Sequence, residues 1–293
     1  MYYKSFKIRL EPNNKQVTTF LKHCGTARHA YNTGLSYCND LYNSGEKVPS
    51  SITLHKWLVA SIKKENPWYY EVSKTSPQEA LRNLEKAFKS FHRIQKQSKY
   101  TLKDKKGRLK GLPNFKKKGI KDSFYLEGAI RVENNLIKLP RIGWVKLSEN
   151  IAVDYLKNCV ISRKANHWFV SFKTEYLPVR TEKKFGVVGG EKKKKTLLTL
   201  SNGEIFENLK PYKNAKKKLR KQQKESIRRF VKGTKNQSNN YKKSILGLSK
   251  THAKIVNVRK DGLHKITTYL AKNFETVVIE YLKVSDMVKN HNL

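Results

Sequence analysis

Between Ser123 and Thr174 the chain carries six short strand-like runs, and no other feature narrows its fold as much. They are Ser123 to Leu126, Ala129 to Val132, Leu136 to Leu139, Trp144 to Leu147, Val160 to Arg163 and His167 to Thr174, with turn signals such as Asn134-Asn135 and Ala165-Asn166 between them. Strands this short leave unpaired edges in an open sheet, and closure into a small barrel removes those edges. Far upstream, Tyr3 to Leu10 alternates, with Lys4, Phe6, Ile8 and Leu10 on one side, and stops at Glu11-Pro12-Asn13. That isolated strand is the natural partner to complete the barrel. Trp144 is expected in its core.

The segment between the first strand and the rest reads as helical. From Lys15 to Asn43 apolar residues fall mostly at helical spacing, as one long helix or two shorter ones. Ile52 to Ile62 and Ser76 to Gln97 follow, the latter opening with Ser76 as a cap and Pro77 at the first helical position. Phe88 and Phe91 read as core, and Trp57 and Trp68 as packing anchors of a helical hairpin, with stacking on a base as the alternative for the two tryptophans. Ser98 to Lys121 is a basic linker punctuated by Gly and Pro. After Pro178 a meander is expected over Phe185 to Gly189, Leu197 to Leu200 and Glu204 to Glu207. A long basic helical stretch then leads to the buried-strand-like run Val277-Val278-Ile279-Glu280. A meander, helix and parallel strand in that order is ribonuclease-H-like.

Charge decides the class of partner. Lys plus Arg number 63 against 23 Asp plus Glu in 293 residues, a formal net charge of +40. Such a surface binds polyphosphate by releasing counterions, so nucleic acid is the expected partner. No run approaches the roughly 18 apolar residues of a membrane-spanning helix, and nothing at Met1 resembles a cleaved signal, so no membrane is expected. Cys24, Cys38 and Cys159 form no CxxC pair, which fits a reducing cytosol and small buried residues rather than a zinc site or disulfides.

Several stretches, in order along nearly the whole chain, resemble the TnpB family, RNA-guided nucleases of insertion sequences and relatives of the type V CRISPR effectors. They are Tyr31-Asn32, Leu112 to Gly119, Leu139 to Trp144, Lys232 to Asn236, Arg259 to Lys265 and Val278-Ile279-Glu280. The resemblance implies an α+β multidomain fold: a wedge-like β-barrel with an inserted helical recognition lobe, then a RuvC nuclease domain. Residues 1–12 would be the first barrel strand, 13–110 the recognition lobe, 111–178 the remainder of the barrel, and 179–293 a degenerate, truncated RuvC-like domain.

In that family a RuvC site places Asp in Gly-Val-Asp-x-Gly on the first strand, Glu at the end of the fourth, and Asp in a late segment. Here Gly186-Val187-Val188-Gly189-Gly190 puts Val188 on the first Asp, and Glu280 keeps the Glu. The third Asp and the family's cysteine zinc finger would fall in a part this chain lacks, and Tyr281 replaces the usual Asp after the Glu. Two metal ions held by such acids are the catalyst, and Val ligates none. Neither catalytic Mg2+ nor structural Zn2+ is expected, and Glu280 stands as a remnant.

For binding, the family reads a short motif flanking its target where Lys74, Thr75, Ser76, Gln78 and Asn83 lie. Gln and Asn pair bidentately with adenine, while capping and solvent exposure are the plain alternatives. Backbone contacts are expected from Lys116, Lys117 and Lys118 beside Phe115, and from Lys217, Arg220, Arg228, Arg229, Lys232, Lys235, Asn236, Arg259, His264 and Lys265. The run Lys192, Lys193, Lys194 and Lys195 fits either phosphate contact beside the altered site or a solvated hairpin tip.

The resemblance narrows to nuclease-dead, TnpB-derived repressors. Such a protein would use a guide RNA as a ribonucleoprotein component, bind a double-stranded DNA target next to a flanking motif, and block transcription as a monomer in the bacterial cytoplasm at the nucleoid. Two alternatives remain: a guide-independent nucleic-acid-binding transposon remnant, and a residual RNA-guided DNA endonuclease.

Overall fold

The computed structural model describes residues 2–97, 103, 107, 109–153, 155–177, 182, 185–191, 196–234 and 236–280. The chain divides into two compact units, Met1–Leu177 and Pro178–Leu293.

In the first unit, strands β1 (Tyr2–Glu11), β2 (Ser123–Glu133), β3 (Leu136–Leu139), β4 (Gly143–Leu147), β5 (Tyr155–Lys164) and β6 (His167–Tyr176) close a barrel in the order β1-β4-β3-β2-β5-β6. Strand β1 pairs antiparallel with β6 from Tyr2↔Tyr176 to Leu10↔Trp168, and with β4 at Leu10↔Leu147. Its alternation works as expected: Ile8 and Leu10 are buried, while Tyr3 is exposed. The runs expected as two strands at Ser123 and Ala129 are one, because the register shifts between Glu127 and Ile130 across Gly128, whose φ is +117°. A glycine bulge bends a strand without ending it. Trp144 is not core; it is 36% exposed, with the Lys138 ammonium 5.8 Å from its ring centre.

The helices α1 (Asn14–Asn43), α2 (Ser51–Trp57), α3 (Lys63–Glu65) and α4 (Thr75–Lys96) lie between β1 and β2, with a widened turn at Leu58–Ile62 and a tight one at Pro67–Glu71. Helix α1 is unbroken. A reciprocal cap starts it, with Gln16 N–H donating to Asn13 Oδ1 (2.9 Å) and Asn13 N–H to Gln16 Oε1 (3.0 Å). Phe20 packs against Phe124 and Trp168, which joins helix and barrel in one core. Gly34 lets α1 approach α4 closely: a Cβ there would sit 2.8 Å from Leu81 Cδ2. Phe88 and Phe91 are buried as expected, and Trp57 stacks on Tyr37 at 4.5 Å. All three cysteines are free and buried, and burial pushes the Cys24 thiol up to about 12.

The expected cap at Ser76 is not made. Helix α4 starts from Lys74 without a side-chain cap, Ser76 sits inside its first turn, and its hydroxyl donates to the Tyr125 carbonyl at 2.9 Å. A tertiary acceptor on β2 outcompetes the local amide. Pro77 falls at the third helical position, where no intrahelical donor is lost.

The second unit holds a four-stranded sheet in the order β10-β7-β8-β9, from β7 (Phe185–Glu191), β8 (Thr196–Leu200), β9 (Ile205–Glu207) and β10 (Phe274–Ile279). The first three form the meander, and β10 lies parallel to β7 with Val277 opposite Val188. Between β9 and β10 run α5 (Pro211–Arg229) and α6 (Asn239–Asn273), packed through Leu219 and Ile255. The sheet core is small: Val188, Leu200 and Phe274, with Tyr269 and Leu270 of α6 against them. Contrary to expectation β10 is not a buried strand, since Val278 is 56% and Ile279 67% exposed. An apolar run fixes a strand but not how many of its faces are covered.

Candidate nucleic-acid interface

The basic loop after the helical insert is held by two consecutive turns of α1. Asn32 Nδ2 donates to the Lys116 carbonyl at 3.0 Å, and Lys116 N–H donates to Asn32 Oδ1 at 2.8 Å. One turn earlier, Arg28 lies 3.7 Å from Asp122, whose Oδ1 accepts from Gly119 N–H at 3.1 Å. The Lys116 ammonium stands 3.9 Å from the Tyr31 ring centre, a cation–π distance. Lys116 as a residue is exposed, yet its ammonium end is desolvated against the ring, which lowers its pKa. Lys117 and Lys118 are exposed at the loop surface. The side chains of Tyr31 and Asn32 therefore set the shape in which three adjacent cations are presented.

The candidate base-reading residues separate. Lys74 and Asn83 are exposed, and Thr75 and Gln78 are partly buried. Ser76 is only 1% exposed and committed to Tyr125, so it is not available to a base. A cleft of about 240 Å³ brings Asn83 together with Lys116, Glu79 and Tyr125. Glu79 lies 3.4 Å from Arg82 and 3.5 Å from Lys86, so the acid in this cleft is already neutralised.

In the second unit Lys217, Arg220, Arg228, Lys232, Asn236, Arg259, His264 and Lys265 are all exposed. Two of the cations have internal partners: Arg229 pairs with Glu225 at 2.7 Å, and Lys265 with Asp261 at 2.8 Å. The turn between α5 and α6 is braced by Gln237, whose Nε2 donates to the Val231 carbonyl at 2.7 Å and the Thr234 carbonyl at 3.0 Å. Lys192, Lys193, Lys194, Lys195, Lys235 and Tyr281 lie outside the described residues.

Val188 is 2% exposed within the apolar cluster of the sheet, while Glu280 is exposed just past β10. A hard divalent cation requires oxygen ligands, and the Val188 side chain offers only methyl groups. Val188 therefore supplies no metal ligand from its position on β7. Among the described residues no three His, Cys, Asp or Glu side chains gather as metal donors.

Sequence reasoning found the lysines through their density, and marked Tyr31-Asn32 through the family resemblance, but did not find that these residues position the lysines. Asn32 acts across 84 positions of sequence, and no local pattern links it to Lys116. The same holds for Arg28 and Asp122.

The fold is α+β, a closed six-strand barrel with helices inserted after its first strand and a second unit built on a four-stranded sheet. The chain is similar in fold to a protein in a "Cryo-EM structure of the Cas12f1-sgRNA-target DNA complex", with a TM-score of 0.52 at 12% identity, over 96% of this chain and 81% of that one. Family models match at residues 195–291, described as "Probable transposase" of the IS605 OrfB type, and at residues 1–47, described as "Helix-turn-helix domain". The latter stretch is here a strand and one uninterrupted helix. The chain is 30% identical over 292 residues to "Putative RNA-guided DNA endonuclease InsQ" of Escherichia coli (strain K12), covering 98% of itself and 68% of that protein. It is 29% identical over 306 residues to a "Putative RNA-guided DNA endonuclease" of Streptomyces pristinaespiralis, covering 99% of itself and 69% of that protein. The chain belongs to this family, the IS605 OrfB or TnpB family of transposon proteins.

Proposed function

We propose that this chain is an RNA-guided DNA-binding protein that holds its target without cutting it and thereby represses transcription. The second unit is read as a RuvC-like domain, and the observation that carries the proposal is Val188, a buried hydrocarbon where the family places its first catalytic acid. The chain keeps what binding requires: a net charge of +40 and exposed cations on both units. Guide RNA supplies sequence recognition by base pairing, and the protein grips backbones and reads a short flanking motif. On the protein side the exposed Lys74 and Asn83, with the partly buried Gln78, are available to that motif, and Lys117 and Lys118 to a phosphate backbone. The protein acts as a monomeric ribonucleoprotein in the bacterial cytoplasm.

The endonuclease reading is favoured by the names of the relatives, and one experiment separates the two. The protein is expressed with a reprogrammed guide against a reporter promoter, and the purified complex is incubated with target plasmid and Mg2+. The proposal expects guide-dependent silencing with intact supercoiled plasmid. Nicking that requires both Mg2+ and Glu280 establishes the nuclease instead, and silencing that ignores guide sequence leaves a guide-independent binder.

A further inference from the structure

A concavity of about 570 Å³ opens between α1 and the tight turn Pro67–Glu71, and Arg28 and Asn32, which also hold the Lys116 loop, form part of its wall. One wall is the indole of Trp68, 37% exposed. Its orientation is fixed from three directions. It stacks on Tyr69 with ring centres 4.5 Å apart at 24°, its Nε1–H donates to Asn66 Oδ1 at 3.1 Å, and His29 meets it edge-on at 5.1 Å. Tyr69 is itself buried and tied to His29 Nδ1 through its hydroxyl at 2.8 Å. Burial and the neighbouring Arg28 charge lower the His29 pKa, which favours the neutral ring. A tryptophan with no external role gains by folding its face onto the protein, whereas this one is propped against solvent in a single orientation. Lys22, Arg28, Asn32 and Glu71 share the lining; Lys22 Nζ donates to Glu71 Oε2 at 2.5 Å and Arg28 lies 3.7 Å from Asp122, so the site joins a rigid aromatic plane to two cations whose present partners are carboxylates that a phosphate would replace.

We propose that this concavity holds one unpaired nucleotide of a bound polynucleotide, its base stacked on Trp68 and its phosphate beside Lys22 and Arg28. A flat ring attached to an anion matches that lining, and stacking on an aromatic plane accepts any base. The inference rests on the nucleic-acid-binding reading above. An unpaired guide-RNA nucleotide and one from a separated DNA strand share this chemistry.

The test uses the full-length protein with single-stranded RNA and single-stranded DNA oligonucleotides, followed by fluorescence anisotropy over a range of salt. Trp68→Ala is expected to weaken binding about tenfold, and Trp68→Phe, which keeps a ring, to stay within about threefold of wild type. The salt slope is expected to stay unchanged, because no phosphate contact is removed. The oligonucleotide type that shows the larger loss identifies the source. Ultraviolet crosslinking of the wild-type protein is expected to attach a nucleotide to the tryptic peptide carrying Trp68, a readout that does not depend on any variant folding. Wild-type binding with no crosslink on that peptide, or equal affinity for Trp68→Ala, overturns the inference alone. A wild-type protein that binds neither oligonucleotide overturns both this and the function proposed above.

Discussion

Replacing Asn32 with Ala removes both hydrogen bonds that clasp the Lys116 backbone, at 2.8 and 3.0 Å, and leaves every lysine in place. Hydrogen bonds of this kind are worth about 0.5–1.5 kcal/mol each in net terms. Both are solvent-accessible, so the pair stabilises the ordered loop by about 1–2 kcal/mol. The Lys116 ammonium retains Tyr31, but a contact at the end of a flexible side chain does not fix the backbone. If polynucleotide binding requires the loop in this shape, the deficit reappears as affinity: at 1.4 kcal/mol per decade it amounts to roughly five- to thirtyfold. Hydrogen exchange should show faster exchange at the Lys116 amide in Asn32→Ala, and a titration with structured RNA should show the weaker binding as a parallel offset across salt concentrations. Unchanged protection at Lys116 refutes the clasp. A reduced salt slope refutes the view that Asn32 positions cations rather than touching phosphate.

Ser76→Ala should lower stability by about 1 kcal/mol, because the Tyr125 carbonyl loses its 2.9 Å donor and is left with the longer contact from the Thr75 hydroxyl at 3.4 Å, and should leave flanking-motif choice unchanged; thermal melting and a motif-depletion assay check the two halves. Burial depresses the pKa values of His23, His29 and His55 below the ordinary 6.5. The unfolded chain therefore takes up protons near pH 6.5 that the folded chain refuses, and the melting temperature should fall as pH drops from 7 towards 5. His23, whose Nε2 accepts from Ser73 N–H at 3.1 Å, should carry part of that slope, so His23→Gln should flatten it. Val188→Asp buries a carboxylate against Leu200 and Phe274, which should destabilise the second unit by about 3–5 kcal/mol without conferring plasmid nicking. Stabilisation of that variant by Mg2+ would show that the position can still seat a metal.

The sequence made the elements legible wherever one local period governed them. Strand β1 was readable from its alternation and α1 from its apolar spacing, and the parallel return of β10 to β7 followed from the order of strands and helices. What was not legible depended on distant partners. Gly128 bends β2 where two strands are suggested, Trp144 turns outward to Lys138, and Ser76 prefers a carbonyl 49 positions away to its own helix end. At the candidate interface, composition identified the cations and the family resemblance marked Tyr31-Asn32, but the role of Asn32, and of Arg28 and Asp122, in arranging those cations shows only once the fold brings them together.

The pairing of β1 with β6 also sets a timetable for synthesis. From Tyr2 to Leu10 the first strand finds its β6 neighbours only at residues 168 to 176. At about 5–20 residues per second, roughly 8–33 s of translation separate the two. During that interval the inserted helices have their own neighbours at hand, while Ile8 and Leu10 wait uncovered. A ribosomal pause between β5 and β6 would prolong this exposure, so the yield of soluble protein should depend on codon choice late in the unit rather than near its start.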